Sequence, residues 1–289
     1  MSIFSSLRPY ARRVGYIACY WRTAVRQFNK RVLRRDLEIT LPTGLRLNLP
    51  KESHYASVIW VTQALTDDGC EQLLLRALRP EAEMIDVGAH LGYYSLWCSP
   101  RVRRVHAFEP DPRNLEWLET NARRALNVTI IRSAVSDFTG TVALTQHASS
   151  AQTHVTPPDE VNGRNGPLLT VPCTRLDDYW EALGRPAICA LKVDVEGHEV
   201  AVFRGAVELM KTCQPVWLVE ISRSNYRDAE PLLTKLGFVV LAALPNSNGV
   251  ALCRIEEIFE TEVEFSMAFV VPSRDAAAWV ERGTQSPYP

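Results

Sequence analysis

The feature that most constrains this chain is the segment Met84-Ile-Asp86-Val-Gly88-Ala-His90-Leu-Gly92-Tyr-Tyr94. A short apolar run ends on a carboxylate, and a glycine-bearing turn then opens the apolar-periodic stretch Leu91 to Cys98. This is the pattern of a buried strand turning tightly into a helix, the unit from which an α/β sheet builds a nucleotide site at its carboxyl edge. A dinucleotide fingerprint reads G-x-G-x-x-G, with backbone amides facing a pyrophosphate. Here the spacing is Asp-x-Gly-x-x-x-Gly, which sets an acid where a phosphate would be repelled.

An acid beside a close-approach loop suits a ligand with a cationic amine or sulfonium. S-adenosylmethionine carries both and no phosphate. The next segment agrees: Arg104-Val-His-Ala-Phe-Glu109 reads as a second strand ending on an acid 23 residues after Asp86. That distance fits one intervening helix, and an acid closing the second strand of a βαβ unit is placed to accept both ribose hydroxyls. Asp111-Pro112 then caps a helix over 112–125, with Leu115, Leu118, Ala122 and Leu126 on its apolar side. Either acid alone reads as an ordinary cap or loop carboxylate. Two at the ends of successive strands, around a glycine turn, read as a site.

A small hairpin over 37–49 turns at Pro42-Thr43-Gly44, and a helix over 68–78 follows Thr66-Asp67-Asp68. Strands are expected at 84–88, 104–109, 128–133, 141–146, 168–173, 187–195, 216–221 and 238–241, with two more at 250–253 and 267–271. Helices are expected at 91–98, 112–125, 177–183, 199–210 and 226–236. Asn246-Ser-Asn-Gly249 supplies residues that tolerate positive φ between two strands. This alternation, ending in antiparallel strands, indicates an α/β fold with one doubly wound sheet and a reversed edge. Residues 147–168 are rich in Ser, Thr, Asn, Gly and Pro without periodicity, a loop long enough to be a lid or acceptor-binding element, or plain surface decoration.

A second constellation is Lys192-Val-Asp194-Val-Glu196-Gly197-His198-Glu199. Along an extended strand Lys192, Asp194, Glu196 and His198 share one side. Polar residues in a central strand are costly unless paired or opening onto a site, so they belong at its carboxyl end, on the same rim as Asp86 and Glu109. The D-x-E-x-H spacing is weak evidence for a metal, and none is assigned.

The net charge of −1 conceals an asymmetry. Residues 1–35 hold nine Lys/Arg and no acid, leaving the remainder with 23 bases against 33 acids. Val14, Ile17, Ala18, Trp21, Val25, Phe28 and Val32 recur at helical spacing, giving an amphipathic helix with a purely basic polar face. Such a helix suits peripheral contact with an anionic bilayer, and equally suits packing on an acidic domain. Nothing beyond it is basic enough to continue a nucleic-acid track. Seven scattered cysteines without C-x-x-C spacing argue against a disulfide framework or structural zinc and point to a reducing cytoplasm. No run approaches a membrane span, and the first residues do not read as a signal peptide.

Taken together, Ile85-Asp-Val-Gly-Ala-His-Leu-Gly-Tyr-Tyr-Ser95, Phe108-Glu-Pro-Asp111, Ala134-Val-Ser-Asp137, Arg175-Leu-Asp-Asp178 and Lys192-Val-Asp-Val-Glu-Gly-His-Glu199 resemble the FkbM family of S-adenosylmethionine-dependent methyltransferases. The resemblance covers about residues 80–272. It implies a class I methyltransferase (Rossmann-like) fold and methyl transfer, usually to a hydroxyl of a sugar or polyketide. The family commonly has asparagine at the position of His90. The implied division is a basic extension over 1–36, a hairpin and helix over 37–80, a methyltransferase domain over 81–272 and a C-terminal tail over 273–289.

Carried over by position, Asp86 and Gly88 border the methionine moiety, with His90 and Gly92 in the same turn. Glu109 meets the ribose, and Ser133 and Ala134 the adenine edge. Asp194 and Glu196 stand near the methyl and the acceptor, with Lys192 and His198 completing the catalytic candidates. An alcohol needs a base to take its proton as the new bond forms. His198 has the suitable intrinsic pKa and Asp194 the better-defined position, so Asp194 ranks first.

Rival readings fit less well. Pro172-Cys173 echoes the nucleophilic pair of cytosine-C5 enzymes but precedes the strand it should follow. The missing third glycine and Asp86 disfavour a nicotinamide oxidoreductase. An inactive membrane-bound scaffold would not need Asp86, Glu109 and Asp194 together. The acceptor is a glycan or small molecule, and neither its identity nor the oligomeric state is written in the motifs.

Overall fold

Runs of five and six residues with no exposed position set the centre of the structure: β3 (Glu83–Val87) and β10 (Ile188–Val193) are buried along their whole length. Burial on both faces is what a central parallel strand requires. The computed structural model describes residues 10–11, 14–145, 154–155, 168–246, 249–261 and 263–284.

On one side of this pair lie β4 (Arg104–Phe108) and β5 (Val128–Ile131), both parallel to it. On the other side come β11 (Val216–Ser222), β14 (Phe265–Pro272), β12 (Phe238–Asn246) and β13 (Gly249–Arg254). The resulting order is β13-β12-β14-β11-β10-β3-β4-β5. The reversal expected at the edge reaches further in, because β14 runs antiparallel to both β11 and β12 and sits between them. The fold is the doubly wound α/β sheet with a reversed edge that the sequence pattern implies.

Helices follow the strands as the periodicity predicts. Helix α4 (Tyr93–Cys98) follows β3, and α5 (Pro112–Ala122) follows β4, where Asp111 accepts the Arg113 backbone N–H at 2.9 Å. The single helix expected over 199–210 is two, α7 (Glu199–Arg204) and α8 (Val207–Cys213). The break falls at Ala206 (φ −126°, ψ 20°), just after Gly205, where a Cβ would stand 2.1 Å from the Ser136 carbonyl oxygen. The restart is capped from outside, the Asp177 carboxylate accepting the backbone N–H groups of Glu208 and Leu209. Asp177 belongs to α6 (Leu176–Ala182), and α9 (Arg223–Lys235) completes the layer.

Two expected strands leave the main sheet. β7 (Gly140–Thr145) and β9 (Leu168–Thr174) pair with each other, and with β6 (Ala134–Val135) and β8 (His154–Val155), in a separate four-stranded sheet. Apart from His154 and Val155, the long loop over 147–168 lies outside the described residues up to Leu168, as do Ser247 and Asn248 of the expected turn. The hairpin β1 (Leu37–Thr40) and β2 (Arg46–Leu49) forms as expected and buries Ile39, Leu47 and Leu49 in the same core as Met84, Trp97 and Phe269. The segment 273–289 includes a helix over 276–284 whose Trp279 stacks on Phe269 at 5.4 Å.

The N-terminal helix α1 (Tyr16–Phe28) lies on α2 (His54–Thr62), which the sequence pattern missed. It packs through its polar side. The Arg26 guanidinium is buried against the carbonyls of Leu49 and Pro50 at 3.1 and 2.5 Å, while Trp60 Nε1 donates to the Arg22 carbonyl at 3.0 Å. Ile17 and Trp21, on the expected apolar face, are exposed. Among the described residues no helix is long and apolar enough to cross a membrane. All seven cysteines are free thiols.

Candidate active site

At the carboxyl end of β3 the chain must turn under β4 without blocking the cleft. The backbone N–H groups of Gly88 and Ala89 both donate to the Phe108 carbonyl, at 3.0 and 2.9 Å. Gly88 takes φ 78°, His90 φ 52° and Gly92 φ 89°. Among residues with a side chain, the left-handed region is best tolerated by Asn, Asp and His, so histidine fits this turn. His90 serves the site through its backbone, donating its N–H to Glu109 Oε2 at 2.8 Å. Burial lowers its imidazole to about 4, so the ring is neutral, and its edge meets Tyr55.

A cavity of about 330 Å³ opens above these turns. Asp86, Gly88, His90, Glu109, Ser133, Ala134, Lys192, Asp194 and Glu196 all line it. Gly92 does not. It begins α4, and its missing Cβ makes room for Leu118. His198 is also outside the lining, its Nε2 3.0 Å from Ser136 Oγ. The chain leaves extended conformation after Val193, and Glu196 and Gly197 adopt φ 50° and 97°. The alternation that would put His198 beside Asp194 therefore ends before reaching it. Among the described residues no group of three His, Cys, Asp or Glu is arranged to hold a metal ion.

Glu109 is buried and fully oriented. Oε1 accepts from the Asp111 N–H at 2.9 Å and the Asn114 amide at 3.3 Å, and Oε2 accepts from His90. Burial outweighs these donors and lifts its carboxyl to about 7. Asp86, also buried, accepts the Ser95 hydroxyl at 2.5 Å and is raised by burial to about 6. At the apolar end Phe108, Val135 and Leu144 join Ala134, while the Ser133 hydroxyl is turned onto the carbonyls of Ala134 and Pro172.

Lys192 also lines the cavity and is buried, its ammonium 3.2 Å from Asp194 Oδ2 and 5.1 Å from the centre of the Tyr94 ring. Burial alone would lower it, but Asp194, Asp67 and Asp86 outweigh that and hold it above its ordinary value, hence charged. Glu196 is raised to about 7 by partial burial and by Asp194, Glu220 and Glu199.

Several lining residues escaped the sequence reading: Tyr55, Asp67, Tyr94, Glu220 and Met267. Tyr94 donates its hydroxyl to Asp67, whose carboxyl is raised to about 6 by burial and the nearby Glu71. Glu71 in turn accepts from Thr66, Tyr93 and the Asp67 and Gly69 N–H groups. Thr66-Asp67-Asp68 showed only a helix start, and Tyr94 stood unremarked inside the first motif. Glu220 and Met267 are neighbours across the β11–β14 pairing, a juxtaposition no local pattern encodes.

The donor set suits S-adenosylmethionine. Asp86 offers a buried carboxylate to a cation, Glu109 retains free lone pairs beside its three donors, and Lys192, the only cationic side chain among the described lining residues, is already satisfied by carboxylates. When bound, the cofactor supplies a methyl group already activated on a cationic sulfonium.

The profile of the methyltransferase FkbM domain matches residues 86–244. The hexuronic acid methyltransferase AglP of Haloferax volcanii is 31% identical over 172 residues, covering 57% of this chain and 68% of that protein. The AMB antimetabolite synthetase AmbE of Pseudomonas aeruginosa is 36% identical over 107 residues, which span 35% of this chain and 5% of AmbE. Among solved structures, an FkbM methyltransferase from Methylobacillus flagellatus superposes with a TM-score of 0.45 at 16% identity, over 74% of this chain and 52% of its own. The turn after Asp86, the oriented Glu109 and the match over 86–244 lead to one conclusion: the chain belongs to the FkbM methyltransferase family and is an S-adenosylmethionine-dependent methyltransferase.

Proposed function

We propose that this protein methylates a hydroxyl of a sugar, on a glycan or a lipid-linked glycan precursor at the cytoplasmic face of a membrane. A polyketide-type acceptor is the nearest alternative. The observation that carries the reading is the Lys192–Asp194 pair, which sets a half-exposed carboxylate in the wall of the cavity that Glu109 also lines. Lys192 fixes the orientation of Asp194, whose free lone pairs can accept the proton of an incoming hydroxyl as the new carbon–oxygen bond forms. Tyr55, Met267 and the α4 aromatics also line the cavity, and apolar walls of this kind favour alignment of the reacting groups over access of water. Glu196 and Glu220 add acceptors for further hydroxyls, which suits a polyol better than a fully apolar substrate.

The 31% identity to a hexuronic acid methyltransferase supports a sugar acceptor. We assign catalysis to residues 81–272 and treat 37–80 as the rim that supplies Tyr55 and Asp67. The test is mass spectrometry of surface polysaccharide and its precursors from cells with and without the gene. Loss of a one-methyl mass increment from a sugar is expected; unchanged glycan masses would overturn the sugar assignment.

A further inference from the structure

We infer that the outward face of α1 is a docking surface for an anionic lipid bilayer. Ile17, Trp21, Phe28 and Val32 fall on one side of α1 and the turn after it, and are 89, 69, 52 and 62% exposed. The other side is fixed. Arg26 is held by Ser57 and the carbonyls of Leu49 and Pro50, and Arg22 donates to the Val61 carbonyl at 2.9 Å. The helix therefore turns arginines inward and leaves Trp and Ile in water, the inverse of a helix whose apolar stripe covers a core. Rolling it to bury the stripe would break those hydrogen bonds.

Charge names the occupant. Arg31, Arg34 and Arg35 are exposed beside the stripe, and no Asp or Glu occurs before Asp36. Nearby, Lys30 faces Glu52 at 3.7 Å. An apolar stripe with aromatic members and a cationic margin matches the boundary between acyl chains and acidic headgroups. A second copy of this chain fits poorly, because twofold packing of stripe on stripe would bring the two arginine sets together. The helix that carries α1, α2, also extends Tyr55 into the active-site cavity, so docking would hold the cavity close to the lipid surface. The inference does not depend on the choice of methyl acceptor.

The test is sedimentation of the full-length protein with phosphatidylcholine vesicles, with and without phosphatidylglycerol. Binding is expected only to the anionic vesicles, weakening at least about tenfold in high salt. I17S/W21S/F28S should weaken binding by at least about tenfold with an unchanged melting temperature, since these side chains are exposed. R31Q/R34Q should reduce binding to the anionic vesicles while leaving the fold intact. Failure of the parent to sediment, or unchanged binding by the triple variant, would overturn the proposal. So would a large loss of thermal stability in the triple variant, which would mean that the chain covers its own stripe, or conversion of a dimer to a monomer, which would mean that a second copy does.

Discussion

The carbonyl oxygen of Asp194 occupies the place where a side chain at Gly88 would begin: a Cβ at Gly88 would stand 2.0 Å from it. The contact joins the two motifs that carry the chemistry, and the Asp194 N–H donates to the Val87 carbonyl at 3.0 Å. Cofactor turn and candidate base are thus registered against each other by backbone alone.

Gly88→Ala should accordingly be costly. Positive φ and the clash together predict a loss of roughly 2–4 kcal/mol, seen as a large drop in melting temperature, with little activity remaining. Gly197→Ala is the control. Its φ of 97° is strained for alanine, but nothing lies within 4 Å of the added Cβ, so the cost should be the backbone strain alone, about 1–2 kcal/mol. Equal losses in the two variants would refute the close-approach argument.

Glu109→Ala should reduce S-adenosylmethionine affinity at least about tenfold in calorimetry, by removing charge-assisted hydrogen bonds to the ribose. It also leaves the His90 and Asp111 N–H groups without their acceptor, which should lower stability by about 1–3 kcal/mol. Wild-type affinity in this variant would remove Glu109 from the cofactor site.

The pH dependence of the free and the liganded protein should run in opposite directions. In the fold Glu109 and Asp86 are raised to about 7 and 6 from ordinary values of 4.5 and 3.8. The folded state therefore holds their protons more tightly than the unfolded chain. Their contribution to the stability of the free protein is fully present below the unfolded values and is lost as pH rises through about 6 and 7. A cationic ligand needs the ionised acids, so cofactor affinity should fall as pH drops from about 7 to 5. Thermal shifts with and without cofactor across this range measure both slopes, and a cofactor shift independent of pH would contradict the buried acids' role.

Asp194→Asn should keep cofactor affinity and lose most turnover, because the amide cannot accept the hydroxyl proton. His198→Ala should keep most turnover and lose about 1 kcal/mol of stability through the bond to Ser136. Single-turnover rates compare them directly. A larger rate loss in the His198 variant would reverse the assignment of the base.

Arg26→Ala should destabilise the fold by about 1–3 kcal/mol, since it orphans two carbonyls at the end of β2 and removes the bond from α1 to Ser57 of α2. Chemical denaturation measures it. A neutral outcome would mean that these bonds of Arg26 contribute nothing to the stability of the domain.

The sequence by itself determined the parallel core and the acids at its carboxyl rim. Asp86, Glu109 and Asp194 follow apolar runs such as Met84-Ile85, and only the strand ends of a sheet covered on both faces have room for a carboxylate. His90 stood in the sequence only as a departure from the family pattern, and its left-handed backbone is a finding of the fold. Tertiary structure alone decided what depends on distant neighbours. β14 inserts beside β11 by pairing across more than 40 residues, which brings Met267 to Glu220, and periodicity carries no pairing partner. A well-patterned helix breaks at Ala206, beside a glycine that must lack a side chain because the Ser136 carbonyl approaches from another segment. The direction of α1 is the clearest case: helical spacing defines an apolar side, but the backbone carbonyls of Leu49, Pro50 and Val61, offered by other elements, capture Arg22 and Arg26 and turn that side outward.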